Sequence, residues 1–279
     1  MTDVPHHTPV SGLPEGSRAA RRLEARPHGG SEWLAPHLRR LPSLLVSWVV
    51  ANALVLFLAA VMIGLGFLVT KVLLQSETIA NADDWLPEWF AAHRTPFWND
   101  WSEVGSKSAD VPVIVPLIAA VALFLVVRRR WRMASFTVQT ALCETLCYSI
   151  VVLFVSRLRP EVVRLDTFNI HHSFPSGHTA VAFSVYGGIA LLLAAHFKSW
   201  PVRAAIWSVA LLLALDVAFA RMYRGEHHPI DVAGGALMGI GTLIIALFAA
   251  RTARSVAEIR KEREEERASA LPSTSPATP

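Results

Sequence analysis

The sequence predicts an all-α polytopic membrane protein, a bundle of six transmembrane helices with its active site at the extracytoplasmic face. Three observations predict it. Apolar residues make up 53% of the 279-residue chain and charged residues only 17%, which is too apolar for a soluble domain of this size. Several long stretches lack charge altogether, and a span needs only about 20 residues. Lysine and arginine are also unevenly divided between the segments that join these stretches, as the positive-inside rule requires.

Residues 1–42 are rich in Pro, Gly, His and Arg and predict a disordered, basic, cytoplasmic segment. The membrane domain follows at 43–250. Its spans are expected at 44–70, 111–127, 134–156, 179–197, 204–220 and 232–250, and the last five hold only two charges, Glu144 and Asp216. The first apolar run starts too late and is too long for a secretory signal peptide. Cys143 and Cys147 lie four apart in the third span. Two cysteines are too few for a disulfide framework or a zinc site, so they read as small core residues.

Between the first two spans, an outer loop at 75–109 is acidic and carries Trp85, Trp89, Trp98 and Trp101. Tryptophan favours the bilayer interface, so this loop is expected to lie on the membrane, as an anchor or as the wall of a lipid entrance. Residues 251–279 form a charged cytoplasmic tail, whose stretch EIRKEREEER (258–267) suits a helix running on from the last span.

Eighteen of the 26 lysines and arginines fall before the first span, in the second-to-third and fourth-to-fifth connections, and in the tail. Both termini are therefore expected in the cytoplasm of a multi-pass cell-membrane protein. Short loops and Ala- and Arg-rich usage suggest a bacterial source. The net charge of +4 then reads as an insertion signal with some pull toward anionic lipid, not as evidence for nucleic acid.

The outward segments break the charge rule in an informative way. Arg157, Arg159 and Arg164 follow the third span, and Arg221 and Arg224 follow the fifth. His171, His172, His178, His227 and His228 gather in the same places. Arginine offers fixed charge and forked donors that suit phosphate oxygens. Pro175-Ser176-Gly177-His178 reads as the start of the fourth helix, with Ser176 as N-cap and Gly177 allowing close approach to the backbone. Exposed amides at such a start form an anion site. In the last cluster, ARMYRGEHHPID (220–231), Pro229 suits the first turn of the sixth helix. Asp231 lies four residues after His227, close enough in sequence to accept from its imidazole and make the other ring nitrogen nucleophilic.

Three pieces in order, SRLRP (156–160), PSGH (175–178) and Arg221-x5-His227-x3-Asp231, resemble the signature motifs of the type 2 phosphatidic acid phosphatase family. That family shares its core with vanadium haloperoxidases and bacterial acid phosphatases. The resemblance implies a metal-independent lipid phosphatase without a cofactor. In it His227 would be the nucleophile, Asp231 would orient it, and His178 would protonate the leaving oxygen. Arg159, Arg221, Ser176 and the amide of Gly177 would hold the phosphoryl group. The implied partners are the bilayer and a membrane lipid phosphate, either an undecaprenyl-type pyrophosphate or a phosphatidate-type glycerolipid.

The match departs from the family at two places. The first motif usually opens with lysine, where this chain has Val152, and the third with serine, where it has Ala220. The lost lysine removes a phosphate donor, for which Arg157, Arg164, Arg224 or Lys107 could substitute, and His171 and His172 could contact a head group. The same loss keeps open a catalytically weak or inactive relative that binds or moves lipid phosphates. A metal site built from the five histidines matches no helix-borne spacing, and the arginines beside it would repel a cation.

Overall fold

The computed structural model describes residues 29–166 and 172–269. Its helices in chain order are α1 (Gly30–Leu38), α2 (Ser43–Lys71), α3 (Glu77–Ala92), α4 (Pro96–Ser108), α5 (Val111–Val127), α6 (Trp131–Phe154), α7 (Gly177–Ala194), α8 (Trp200–Tyr223) and α9 (Pro229–Ser269). Five of them are long and apolar enough to cross a membrane. The sixth expected span differs. At 17 residues α5 is too short alone, and it passes only together with α4, from which it is bent by 46°. The break falls at Ala109–Asp110, immediately before Pro112 in the first turn of α5, where proline is tolerated but cannot continue a preceding helix.

One segment is more ordered than its composition predicts. Within the expected disordered region 1–42, α1 packs on α9 and buries Ala35 completely. In the tail, α9 continues through the charged stretch to Ser269, helped by the i,i+4 pairs Arg254–Glu258 and Lys261–Glu265.

The long α9 is the axis of the bundle and packs on α1, α2, α6 and α7. Close approach to α7 depends on two glycines. A Cβ on Gly235 would lie 2.3 Å from the Ser176 carbonyl oxygen, and one on Gly239 would lie 2.3 Å from that of Ala180. Because nothing larger than hydrogen fits, the first turns of α7 and α9 meet backbone to backbone. The Ser176 amide donates to the Asp231 carbonyl at 3.0 Å. The PSGH and His-x3-Asp segments are joined by this contact.

The region expected as an interfacial loop, 75–109, folds into α3 and α4. All four of its tryptophans are exposed, and Trp85 and Trp89 stack on one helix face. α4 packs on α8, where Trp98 meets Phe219 edge-on and Trp101 donates to Asp216 at 2.8 Å. Arg94, between the two helices, donates to the carbonyls of Val163 (2.7 Å) and Tyr223 (3.2 Å). This region therefore forms part of the floor around the polar end of the bundle rather than a separate surface element.

Candidate active site

The site is assembled where α6 ends, α7 begins, α8 ends and α9 begins. Gly225 has φ +77, a left-handed turn that glycine adopts without strain. It reverses the chain after α8, and the amides of Glu226 and His227 then donate to the Arg221 carbonyl at 3.0 and 3.2 Å. Glu226, His227, His228 and Asp231 are consequently all buried.

Asp231 accepts from three side chains and one amide. Its Oδ1 receives Arg157 at 2.5 Å. Its Oδ2 receives the Ser173 hydroxyl at 2.5 Å, the His228 amide at 2.9 Å and His228 Nδ1 at 3.0 Å. The direct His227–Asp231 hydrogen bond suggested by their spacing is not formed, since Nδ1 and Oδ2 are 3.9 Å apart. The reason is local. α9 begins at Pro229, so His227 lies outside the helix and does not follow its i,i+4 geometry. His228 occupies the N-cap, and Asp231 at the third helical position reaches back to its amide, as in a capping box. Ser173 fills the gap, with its Oγ 3.4 Å from His227 Nδ1. The oriented unit is thus His227–Ser173–Asp231, with Nδ1 facing the pair and Nε2 on the opposite side of the ring.

Every arginine of the cluster that faces inward meets a carboxylate. Arg157 clamps Asp83 of α3 as well as Asp231, and Asp83 also accepts from the Ile230 amide at 3.0 Å. Two acids therefore take up the positive N-terminus of α9. Arg159 pairs with Glu226 and also donates to its carbonyl at 2.9 Å. Arg221, 1% exposed, donates to Asp166 at 2.8 Å and to Ser106 at 2.7 Å, and lies 3.5 Å from Glu226. Arg224 binds the other oxygen of Asp166 at 2.7 Å. His178 Nε2 lies 2.5 Å from Asp110 Oδ1, at the break between α4 and α5.

The structure brings His178, His227, Arg159 and Arg221 into one electrostatic group. Burial first, then the charge of Arg221, holds the His227 pKa well below its ordinary value, with Arg159 and His178 adding to the effect and Asp231 opposing it. This environment disfavours the protonated imidazole. Ser176 is fully buried, but its hydroxyl accepts from Thr179 at 3.0 Å and caps no helix amide. The face of Gly177 lies against the Tyr148 ring, 3.0 Å from where a Cβ would stand.

The candidates for replacing the missing lysine separate clearly. Arg157 is engaged by Asp83 and Asp231, and Arg224 by Asp166 and the Asn99 and Leu165 carbonyls. Lys107 is 63% exposed and paired with Glu103. Arg164 is the one whose charge acts on both Arg159 and Glu226. His172 is half-buried beside Ser173, and His171 lies outside the described residues. Among the described residues, no three His, Cys, Asp or Glu side chains are grouped so as to hold a metal ion.

Sequence reasoning missed Ser173, Glu226 and the acids Asp83, Asp84, Asp110 and Asp166. Asp84 lies 3.0 Å from His228 Nε2. Ser173 and Glu226 had an available signal, since each is within two residues of a motif. The four aspartates lie outside the motifs and reach the site from α3, the α4–α5 break and the connection between α6 and α7.

The family model described as the PAP2 superfamily matches residues 132–254, a stretch that holds all three motifs. A relative is the bacitracin transport permease protein BcrC of Bacillus licheniformis, 36% identical over 102 residues that cover 37% of this chain and 44% of that one. The match therefore spans less than half the length of that relative. Phosphatidylglycerophosphatase B of Bacillus subtilis is 25% identical over 179 residues, covering 62% of this chain and 86% of that one. The crystal structure of a transmembrane PAP2-type phosphatidylglycerolphosphate phosphatase from Bacillus subtilis aligns with a TM-score of 0.57 at 21% identity, over 76% of this chain and 96% of that chain. The matched stretch and the helices around it thus share that protein's fold.

Proposed function

We propose that the protein is an integral membrane phosphatase that hydrolyses a lipid phosphate or pyrophosphate at the extracytoplasmic face, with both termini in the cytoplasm. The observation that carries this reading is the buried His227. Its Nδ1 is turned toward Ser173 and Asp231, and its charge environment is set by Arg221 and Arg159. A purely structural histidine has no need of such surroundings. The PAP2 relative named as a phosphatidylglycerophosphatase supports the same class.

In the proposed reaction, His227 Nε2 attacks phosphorus. The N–P bond forms as the bond to the leaving oxygen breaks, and His178 gives that oxygen its proton. His178 then takes a proton from water, the water oxygen attacks the phosphohistidine, and phosphate leaves as the imidazole is restored. Arg159 and Arg221 neutralise charge on the phosphoryl oxygens, the main requirement of phosphoryl transfer. Asp110 holds His178 in place. The substrate combines a phosphate head with an apolar tail, and an undecaprenyl-type pyrophosphate is the favoured member of that class.

The test is phosphate release by detergent-purified protein, with chelator present, from undecaprenyl pyrophosphate, phosphatidic acid, phosphatidylglycerophosphate and a soluble aryl phosphate. Release from at least one lipid supports the proposal, and the preferred lipid names the substrate. Val152 in place of lysine favours the alternative, a protein that binds or moves lipid phosphates. Tight lipid binding by folded protein with no release would establish that alternative instead.

The position of the His227 pKa gives a further expectation. A nucleophile held neutral to well below its ordinary value of 6.5 stays competent as the medium acidifies. The acid limb of kcat/KM, which reports groups of the free enzyme, is therefore expected below pH 6.5. A pH–rate profile checks this, and an acid limb above that value would show His227 to be an ordinary solvated imidazole.

A further inference from the structure

Glu226 stands in an unusual place. It is fully buried and immediately precedes His227. One carboxylate oxygen, Oε2, pairs with Arg159 and lies 3.5 Å from Arg221. These are the two guanidiniums that would take the phosphoryl oxygens. The other oxygen, Oε1, is buried with no hydrogen-bond partner among the described residues. A buried carboxylate oxygen left unsatisfied is costly.

The surrounding space agrees with this. A hollow of about 400 Å³ opens at this end of the bundle and is lined by Lys71, Asp84, Arg157, Arg159 and His228, among others. Neither Arg221, His178 nor His227 lines it. Arg221 and His227 are almost fully enclosed. With Glu226 placed between Arg159 and Arg221, the position where one phosphate could bridge both arginines is already filled by an oxyanion.

We infer that Glu226 is a working part of the phosphate site: its carboxylate holds Arg159 and Arg221 in the substrate-free protein and surrenders them, as the neutral acid, to an incoming tetrahedral dianion. This rests on the reading of those two arginines as phosphate ligands. Two oxyanions facing the same pair of guanidiniums repel each other, whereas a protonated Glu226 can withdraw or donate a hydrogen bond to the newcomer. Binding then takes up one proton from solvent onto the carboxylate. No covalent bond changes.

The groups that set this proton's affinity are on the page. Burial raises the Glu226 pKa, against the opposing pull of Arg221, Arg159 and Arg164 and with a smaller lift from Asp166. His227 is its chain neighbour, His178 lies in the same electrostatic group, and Arg94 is packed behind Gly225. The consequence is selectivity by charge and pH. Anion affinity falls as pH rises above the Glu226 pKa, by up to about tenfold per unit.

Sulfate tests this directly, because it remains a tetrahedral dianion throughout the range used. Its affinity for the full-length, detergent-purified protein is measured by calorimetry at about pH 5.5, 6.5 and 7.5, for wild type and Glu226→Gln. Histidine titration is common to both proteins and cancels in their ratio. The expected result is a Glu226→Gln protein that binds more tightly at the highest pH, by about tenfold or more, with the ratio shrinking toward acid. Repeating the wild-type titration in buffers of different ionisation enthalpy counts the protons, with uptake approaching one as pH rises. Uptake that persists in both His227→Ala and His178→Ala decides the matter if Glu226→Gln does not fold. Parallel pH curves, weaker binding by the variant, or no proton uptake would overturn the role of Glu226. Unchanged sulfate affinity in Arg221→Ala would instead overturn the underlying assignment of the arginines.

Discussion

Replacing Arg157 with alanine is expected to destabilise the folded protein by about 3–5 kcal/mol, the range for removing one partner of a buried ion pair. Its guanidinium joins Asp83 of α3 to Asp231 of α9, and all three side chains are at most 7% exposed. Without it two carboxylates remain buried beside each other. Their other contacts, the Ile230 and His228 amides and the Ser173 hydroxyl, cannot neutralise both charges. Arg157→Lys should recover only part of the loss, since an ammonium lacks the fork that reaches two carboxylates at once. Unfolding of the purified protein in detergent measures both variants. A stable Arg157→Ala protein with impaired substrate binding would show that this arginine faces the substrate, as the sequence had left open, and not the protein.

His227→Ala is expected to have the opposite profile. Stability should change little, because its ring makes only long polar contacts. Its Nδ1 is 3.4 Å from Ser173 and 3.9 Å from Asp231. Turnover, however, should fall by roughly 10⁴-fold or more, the order seen when a covalent nucleophile is removed. The comparison is made on kcat/KM for the best lipid of the panel. Residual activity within about tenfold of wild type would mean that another group attacks phosphorus, and His228, 3.0 Å from Asp231, would be the first to examine.

Much of this was legible in the sequence for physical reasons. Charge-free runs have few alternatives to a span, so α2, α6, α7, α8 and the first part of α9 fall where hydropathy places them. Arg159, His178, Arg221, His227 and Asp231 sit beside helix ends that local chemistry marks, with Gly177 near the start of α7 and Pro229 opening α9. The rest depended on tertiary placement. α5 is apolar enough to suggest a complete span, but its length leaves it dependent on α4. Spacing alone paired His227 with Asp231. The helix start decided otherwise, giving the carboxylate to the His228 amide and to Ser173. The acids that balance the arginines come from as far as Asp83, 148 residues before Asp231 in the numbering. Their presence was visible as an acidic loop, while their role required the fold of α3 and α4 over the site.

The most direct measurement is to trap the intermediate. The purified protein is mixed with lipid phosphate carrying a labelled phosphoryl group, quenched within a turnover, and the label on the polypeptide is followed in acid and in base. The account predicts label on the wild-type chain that is lost in acid and survives in base, as a phosphohistidine does, and no label on His227→Ala. Label of the same kind on His227→Ala, or full lipid turnover by wild type through a protein that never carries phosphate, would contradict it.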